Sequence, residues 1–192
     1  AGEMIGVIGH TGSGKSTLIQ HFNGLLRPTS GKIYVDGEDI WEKPKEIRRV
    51  RFQVGLVFQY PEHQLFEIDV FSDVCFGPKN LGLTKKEAEL RAMELLTLLG
   101  LADRVSHKPN QLSGGEQQRV SVARALVNHP RVVLADEPSG NLDTRTKNEL
   151  HQLFFTLREE LGQTFVIVTH DTELARMSDR QIKLNDGMLM NE

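Results

Sequence analysis

The feature that most constrains this chain is a glycine-rich segment near its start, GHTGSGKS at residues 9–16. It matches the pattern G-x-x-x-x-G-K-[ST], which cradles phosphate groups when it lies between a strand and a helix. Both neighbours are predicted here, because EMIGVIG has the pattern of a short buried strand and KSTLIQHFNGLL has the apolar period of a helix. The alternative is an ordinary glycine-rich turn, and the satisfied context makes it much the weaker interpretation.

Each residue type in this loop has a chemical purpose. Glycines allow backbone N–H groups to close around phosphate oxygens. Lys15 would place a positive charge on the β- and γ-phosphates of a nucleotide, and Ser16 would offer a hydroxyl to Mg²⁺. We therefore expect the nucleotide to be held by Gly9, His10, Thr11, Gly12, Ser13, Gly14, Lys15, Ser16 and Thr17.

Composition describes an ordinary globular chain and narrows its partners. The 192 residues suffice for one domain with a substantial core. The formal net charge is −3 and no long basic run occurs, so nucleic acid is not an expected partner. No apolar stretch approaches the ~20 residues of a membrane helix, so another polypeptide would have to supply any membrane span. The single cysteine, Cys75, excludes an intrachain disulfide and fits a reducing compartment.

Strands alternate with helices along most of the chain. QVGLVFQ, RVVLADEP and TFVIVTH have the pattern of buried strands, and GKIYVDGEDI alternates like an exposed strand that ends in the turn Asp36-Gly37. This alternation predicts an α/β fold, a P-loop NTPase core of three layers with a mostly parallel sheet. Residues 60–127 are predicted to be mostly helical. We therefore expect the core to comprise residues 1–59 and 128–192, with 60–127 as an inserted helical subdomain.

Two helices in this pattern have a definite apolar face. TKKEAELRAMELLTLLG carries a stripe followed by a C-terminal glycine, and TRTKNELHQLFFTLREELG carries a second stripe that is also ended by glycine. The first stripe comprises Ala88, Leu95, Leu98 and Leu99, with Gly100 after it. The second comprises Leu150, Leu153, Phe154, Leu157 and Leu161, with Gly162 after it.

Polar residues end the predicted strands, where parallel α/β sheets bind their ligands. Asp136 would hold Mg²⁺, usually through water, and Glu137 would be free to activate a water molecule. Gln59 could touch Mg²⁺ or the attacking water, and His170 could contact the γ-phosphate. The alternatives are a polar strand end turned by Pro138, and solvated termini for Gln59 and His170. Their recurrence at successive strand ends favours a site.

A second segment, LSGGEQ at residues 112–117, also resembles an anion site. Ser113 and Glu116 fit the S-x-x-E capping box of a helix. Gly114 and Gly115 do not follow from capping, because each costs a helix about 1 kcal/mol relative to alanine. Their lack of side chains indicates that something approaches this backbone closely.

The whole set of motifs resembles the nucleotide-binding domain of ABC ATPases. GHTGSGKS, Gln59, LSGGEQQR, VVLADEP, GNLD and His170 follow the family's order over essentially the full chain. The resemblance implies that two subunits pack head-to-tail, so that Ser113, Gly114, Gly115 and Glu116 face the ATP bound by the other subunit. It also places Asp143 at the dimer interface, with a plain helix cap as the alternative.

The resemblance further implies an ATPase that uses ATP and Mg²⁺ to power separate membrane subunits. Glu137 would polarise water, while His170 and Lys15 stabilise developing charge. The segment 61–82 would receive a helix of the membrane partner in a groove, and the protein would lie on the cytoplasmic face of the membrane. Groove residues would include Leu65, Phe66, Val70, Phe71 and Phe76, with ordinary core packing as the alternative for each. Rival interpretations are a catalytically impaired or chimeric domain and a soluble ABC ATPase without a transport role.

Two halves of the chain resemble different branches of the family. The segment that includes FQYPEHQLFEIDV resembles ATPases of energy-coupling-factor importers, and the segment that includes DEPSGNLD resembles ATPases of lipoprotein-release systems. Descent with drift and a chimera joined near LSGG both fit this pattern, and residues 61–82 favour the importer branch. Because the chain opens inside a strand without Met, we expect N-terminal strands and an adenine-stacking aromatic residue to be missing, with weakened nucleotide affinity.

Overall fold

The computed structural model describes residues 2–61 and 64–190, and its centre is a six-stranded sheet in the order β4-β5-β6-β1-β7-β8. The first five of these pair in parallel, and β8 pairs antiparallel with β7. The strands are β1 (Met4–Ile8), β4 (Val54–Val57), β5 (Val132–Asp136), β6 (Thr164–Val168), β7 (Arg180–Asn185) and β8 (Met188–Met190). The prediction of an α/β fold with a mostly parallel sheet is confirmed.

Helices cover both faces of this sheet. They are α1 (Lys15–Phe22), α2 (Ile47–Gln53), α3 (Val70–Leu81), α4 (Lys85–Leu98), α5 (Gly114–Leu126), α6 (Thr144–Leu161) and α7 (Thr172–Met177). On β5, Val133 and Ala135 belong to one buried cluster and Leu134 to the other, as the period of two in a strand requires. The apolar run in this strand is therefore explained by burial on both faces.

A separate hairpin replaces the single exposed strand predicted around residue 36. Its strands are β2 (Tyr34–Val35) and β3 (Glu38–Asp39), which pair antiparallel. Asp36 and Gly37 both have positive φ, 54° and 79°, which a two-residue hairpin turn of this hand requires. The turn was therefore predicted correctly, and the strand that continues past it was not predicted.

Helix α1 is shorter than the sequence pattern predicts. The pattern extends to residue 26, whereas the helix ends at Phe22. Gly24 explains the difference, because it has a positive φ of 68° and an added Cβ would lie 2.5 Å from Ile47 Cδ1. The chain turns there to pack tightly against the start of α2.

The two predicted apolar stripes are correct except at their ends. Leu98 is 38% exposed and Leu161 is 48% exposed, so both face outward. The glycines that follow these helices, Gly100 and Gly162, have positive φ, as expected where a helix ends in a left-handed residue. Among the described residues, none of the helices has both the length and the apolarity needed to cross a bilayer.

Candidate nucleotide-binding site

The glycine-rich loop joins β1 to α1 at the carboxyl edge of the sheet. Gly12 and Gly14 have φ of +85° and +92°, and an added Cβ at Gly9 would lie 2.3 Å from the Leu184 carbonyl oxygen. The first helical hydrogen bond runs from the Leu18 N–H to the Gly14 carbonyl, at 2.9 Å. The N–H groups of residues 15–17 therefore have no acceptor within the helix and can bind an anion.

Lys15 is buried and folded back onto this loop. Its ammonium donates to the carbonyl oxygens of Gly9, at 2.9 Å, and His10, at 3.0 Å. The positive charge is thus fixed above the loop by the loop's own backbone. A phosphate at the start of α1 would meet this charge without a large movement of the side chain.

The tip between β7 and β8 braces the loop from outside. The N–H of Gly187 donates to the Ser13 carbonyl at 3.0 Å, and His10 Nε2 lies 3.2 Å from Asp186 Oδ1. The Ser13 hydroxyl is buried and has no hydrogen-bond partner among the described residues. Sequence reasoning did not identify β7 or β8, although Asn185-Asp186-Gly187 is a turn signal that could have revealed the hairpin.

Ser16 and Asp136 lie together, as the metal hypothesis requires. The Ser16 hydroxyl donates to Asp136 Oδ1 at 2.9 Å across the loop–strand boundary. Burial raises the pKa of Asp136, the hydrogen bond from Ser16 opposes this, and the charge of Glu137 adds to it. A cation between these two oxygens would relieve the cost of that buried charge.

These oxygen donors fit Mg²⁺ in its usual setting. Mg²⁺ prefers oxygen ligands and is held by one or two protein groups together with substrate phosphates and water. Within residues 2–61 and 64–190, no group of three or more His, Cys, Asp or Glu side chains could hold a metal by itself. The pair Ser16 and Asp136 therefore suits a metal that arrives with a nucleotide.

Glu137 and His170 form a contact that connects β5 to β6. Glu137 Oε2 lies 2.8 Å from His170 Nδ1 and accepts the His170 backbone N–H at 3.2 Å. The Glu137 backbone has a positive φ of 45°, unusual for a non-glycine residue, and its N–H donates to the Val168 carbonyl at 2.9 Å. The side chain of Glu137 is 15% exposed, and that of His170 is 70% exposed.

Gln59 follows β4 and lies against the turn after Glu137. A Cβ added at Gly140 would be 2.9 Å from Gln59 Nε2, so the amide packs directly on that glycine. The Gln59 carbonyl also accepts a long hydrogen bond, at 3.5 Å, from the Asn141 side chain. In the described residues, no hydrogen bond joins Gln59 to Ser16 or Asp136.

The second glycine segment starts α5 and forms a complete capping box. Ser113 Oγ accepts the Glu116 N–H at 3.3 Å, and Glu116 Oε2 accepts the Ser113 N–H at 2.8 Å. Arg104 Nε donates to the other carboxylate oxygen at 2.8 Å. The backbone hydrogen bond from Ser113, followed by the one from Arg104, lowers the pKa of Glu116 to about 2.

The two glycines of this segment have different surroundings. A Cβ added at Gly115 would lie 2.3 Å from Thr146 Cγ2, so this buried glycine is required by packing against α6. A Cβ at the exposed Gly114 would make only an ordinary contact, 3.6 Å from Leu142 Cδ2. The close approach occurs within this chain at Gly115, whereas no packing contact in residues 2–61 and 64–190 explains Gly114.

Asp143 serves as the N-cap of α6. Its Oδ1 accepts the N–H groups of Arg145, at 3.0 Å, and Thr146, at 3.1 Å, and its Oδ2 accepts the Thr146 hydroxyl at 2.6 Å. The capping alternative raised for this residue thus describes its contacts. Asp143 is exposed, which leaves it accessible to a second subunit.

The segment 61–82 presents aromatic side chains at the surface, although two of its residues, Glu62 and His63, lie outside the described residues. Phe66 is 59% exposed and Phe76 is 40% exposed, and their rings meet edge to face with centroids 4.9 Å apart. Val70 is completely buried, so its assignment to an open groove was wrong and the core-packing alternative holds. Leu65 and Phe71 are half-buried and pack against the core.

Sequence reasoning missed two contacts behind Glu137 and His170. The Ser139 hydroxyl and His151 Nε2 lie 2.9 Å apart, and Lys147 Nζ donates to Asp171 Oδ2 at 2.7 Å. Lys147 and His151 are spaced by four residues on α6, and a histidine in the apolar stripe of that helix was the available signal.

A phosphate loop after β1, together with a hydroxyl–carboxylate pair and a glutamate at the same sheet edge, defines a P-loop nucleotide hydrolase. The family described as ABC transporter matches residues 1–140. The chain belongs to the ABC transporter family, as one of its ATP-binding subunits.

Two kinds of relative match nearly the whole chain. The lipoprotein-releasing system ATP-binding protein LolD of Bacteroides thetaiotaomicron is 50% identical over 194 residues, covering 100% of this chain and 88% of the relative. The energy-coupling factor transporter ATP-binding protein EcfA2 of Geobacillus kaustophilus is 47% identical over 191 residues, covering 97% and 66%. Because both kinds align along the full chain, a chimera with a joint near LSGG is not supported.

Solved structures of similar proteins share the fold closely. CbiO1 from Clostridium perfringens, described as part of the ABC transporter complex cbiONQ, gives a TM-score of 0.90 at 36% identity, covering 99% of this chain and 76% of that one. The ATP-binding cassette MJ0796, described as a dimer in a post-hydrolysis state bound to ADP and Pi, gives 0.87 at 38% identity, covering 99% and 84%.

Proposed function

We propose that this protein binds ATP with Mg²⁺ and hydrolyses it in a head-to-tail dimer that powers separate membrane subunits. The observation that carries the proposal is the meeting of three elements at one sheet edge. These are the loop 9–17 with its open N–H groups, the Ser16–Asp136 pair at 2.9 Å, and the Glu137–His170 pair at 2.8 Å.

The chain's own residues supply binding, charge and a base. The loop backbone and Lys15 would hold the β- and γ-phosphates, and Ser16 and Asp136 would hold Mg²⁺, with Gln59 as a further candidate ligand. Mg²⁺, when bound, neutralises charge on the phosphate oxygens. Glu137 accepts a proton from the attacking water. His170 contacts the Glu137 carboxylate, orients that carboxylate and faces the γ-phosphate.

The second glycine segment fits a phosphate brought by another subunit. Ser113 and Gly114 are exposed at the start of α5, and among the described residues no hydrogen bond or ion pair joins residues 113–116 to the loop 9–17. The known dimer of MJ0796 with ADP and Pi supports an assembly of this kind. The partner would be a second copy or a related ATPase, with Asp143 and Glu116 near the shared interface.

The surface for the membrane subunit lies beside α3. A cavity of about 230 Å³ opens there between β4, α3 and α5, and its lining includes Phe76, Gly77 and Arg124. Exposed Phe66 and Phe76 provide apolar area for a helix of the partner, and the cbiONQ assembly of CbiO1 supports a partner of this class. Residues 60–127 would then move as a helical unit against the core of 1–59 and 128–192, at the cytoplasmic face of the membrane.

The substitution Glu137→Gln tests the proposal. It keeps the size of the side chain and removes the proton acceptor, so ATP hydrolysis should fall at least a hundredfold while ATP-dependent dimers persist in sedimentation. Glu160→Gln, on the exposed surface of α6, is the matched control and should hydrolyse ATP at the parent rate. Hydrolysis by the Glu137 variant at the parent rate would reject Glu137 as the base.

A further inference from the structure

One face of α6 contacts both loops that carry the Glu137–His170 pair. Lys147 and His151 lie four residues apart, so their side chains project from the same side of the helix. Lys147 reaches the loop after β6, and His151 reaches the loop after β5. The helix therefore contacts each loop one or two residues after the member of the Glu137–His170 pair that the loop carries.

The contact to the β6 loop is an ion pair at the residue after His170. Asp171 Oδ1 caps α7 by accepting the N–H groups of Glu173, at 2.9 Å, and Leu174, at 3.1 Å. Its other oxygen, Oδ2, accepts from Lys147 Nζ at 2.7 Å. The hydrogen bond from Lys147 is the main reason that the pKa of Asp171 falls to about 2. Both carboxylate oxygens of Asp171 therefore accept hydrogen bonds. These bonds hold Asp171 in place and, with it, the backbone of the preceding residue, His170.

The contact to the β5 loop is a buried hydrogen bond. Ser139 and His151 are each 5% exposed, and the hydroxyl lies 2.9 Å from Nε2. Ser139 lies within the turn closed by the Gly140 N–H and the Glu137 carbonyl, at 3.0 Å. Burial lowers the pKa of His151 and so favours the neutral ring, which has one N–H donor and one acceptor nitrogen and can form one hydrogen bond with the hydroxyl.

We propose that Lys147 and His151 are positioning residues that set the distance between Glu137 and His170 from a single helix. This inference rests on the proposed function, because it assumes that this pair acts on water and phosphate. Glu137 follows the end of β5 and His170 follows the end of β6, so the two loops that α6 contacts are the loops that carry these residues. A displacement of ~1 Å at a reacting group can cost on the order of a hundredfold in rate.

The same helix also bears, on an adjacent face, the residue that packs against the second glycine segment. Thr146 precedes Lys147 and occupies the space where a Cβ at Gly115 would lie, 2.3 Å from Thr146 Cγ2. The helix therefore contacts both the loops that carry Glu137 and His170 and the start of α5, and holds them in a fixed relative position. In the proposed dimer, α5 serves the other ATP, so α6 connects the two nucleotides within one subunit.

The first arm of the test compares Lys147→Met with Arg145→Met. Both remove a cation from the first turns of α6, but Arg145 is 89% exposed and, in the part of the chain that the structure describes, forms its one ion pair with Glu149 on the same helix. We expect Lys147→Met to lower kcat about tenfold with KM for ATP within about twofold, because positioning acts on the reacting groups and not on the phosphate loop. Arg145→Met should match the parent, and Lys147→Arg should recover most of the rate.

A double-mutant cycle shows whether Lys147 acts through Asp171. Asp171→Asn removes the charge and retains a good N-cap for α7. If the pair acts as a unit, the double variant should be no slower than the slower single variant. Multiplicative losses would overturn the inference for Lys147.

The second arm tests the buried hydrogen bond with His151→Gln and Ser139→Ala. Glutamine can still bond to the hydroxyl and should retain most of the rate, whereas Ser139→Ala should lower kcat about tenfold at unchanged KM. A thermal melt at the assay pH should show that Ser139→Ala is still folded at the assay temperature. The fall in kcat is then not caused by unfolding. ATP-dependent dimerisation in a Glu137→Gln background should also be unchanged.

The outcomes separate this inference from the proposed function. Unchanged kcat in Lys147→Met and Ser139→Ala, in a parent that hydrolyses ATP, would overturn the positioning role and leave the proposed function intact. A parent that forms ATP-dependent dimers but hydrolyses no ATP would overturn the proposed ATPase activity and this inference with it. Reduced kcat with unchanged KM in Lys147→Met and Ser139→Ala, together with the non-additive cycle, supports the positioning role.

Discussion

Two helices in this protein begin at glycine-rich segments, and their starts differ in what remains available. The N-cap of α1 is Gly14, which has no side chain to cap the helix, and the N–H groups after it are open beside Lys15. The start of α5 is closed by Ser113, Glu116 and Arg104, which satisfy one another. In the proposed function the first would bind phosphate within one chain, whereas the second is a complete capping box and would act on a phosphate that another subunit brings.

The largest effect should follow loss of the charge at the open site. Lys15→Met removes the ammonium that Gly9 and His10 hold above the loop, so hydrolysis should fall at least a hundredfold and ATP binding should weaken strongly. Lys86→Met, on the exposed surface of α4, is the control. Steady-state kinetics and calorimetric titration with ATP measure both quantities. ATP binding at the parent affinity in Lys15→Met would contradict the assignment of this loop.

Alanine at the two glycines of α5 should separate structure from function. Gly115→Ala places a Cβ 2.3 Å from Thr146 Cγ2 and should destabilise the fold by about 1–3 kcal/mol. Gly114→Ala has room and should unfold at or above the parent temperature, yet hydrolyse ATP more slowly because it narrows the approach of the partner's phosphate.

A second substitution checks the cause at Gly115. Thr146→Ser removes Cγ2 and keeps the hydroxyl that bonds to Asp143, so it should restore stability to Gly115→Ala. Thermal melts of Gly115→Ala, Gly114→Ala, Thr146→Ser and the double variant Gly115→Ala with Thr146→Ser give the comparison. If Gly114→Ala melts as low as Gly115→Ala, the two glycines do not differ in the way that their surroundings indicate.

The smallest effect concerns the carboxylate that closes the α5 cap. The pKa of Glu116 is lowered to about 2, so its stabilisation is present above the unfolded pKa of about 4.3 and is lost as the pH falls toward 2. Glu116→Gln should cost about 1 kcal/mol at pH 7, because solvent screens part of the interaction, and the difference from the parent should shrink between about pH 4.3 and pH 2.

The equivalent residue in α4 provides the control for this charge. Glu87 closes a capping box with Thr84 but lies in solvent, and within residues 2–61 and 64–190 no arginine donates a hydrogen bond to its carboxylate, so Glu87→Gln should cost less. Denaturant melts across this pH range measure both variants. A Glu116→Gln penalty that stays constant down to pH 2 would show that the charge does not stabilise the cap.

Much of the fold could be predicted because burial leaves a direct signature in the sequence. Val132–Asp136 is apolar on both faces, ends in the carboxylate of Asp136 and is followed directly by Glu137, which identifies a central strand and its edge. The terminal hairpin was missed because Met188, Leu189 and Met190 are all exposed and show no alternation between a buried and an open face.

The contacts between the candidate site residues could not be predicted from the sequence. Ser16 and Asp136 are 120 residues apart, and their contact follows from the strand order β5-β6-β1, which periodicity does not give. Gly115 was interpreted as bare for a ligand because its neighbour Thr146 comes from another helix. Local patterns name the residues of a site, whereas the packing of distant elements decides what each residue touches.

The central claim is that one chain's open loop and another chain's α5 form a single ATP site. It is tested most directly by sedimentation of an equimolar mixture of two variants, Lys15→Met and Gly114→Glu, each also carrying Glu137→Gln. A homodimer of Lys15→Met lacks a working phosphate loop, and a homodimer of Gly114→Glu lacks a working α5 start. In a mixed dimer, the intact loop of one variant faces the intact α5 of the other, so one site is complete. We predict ATP-dependent dimers only in the mixture. A mixture that stays monomeric at an ATP concentration that dimerises the Glu137→Gln protein would contradict the claim.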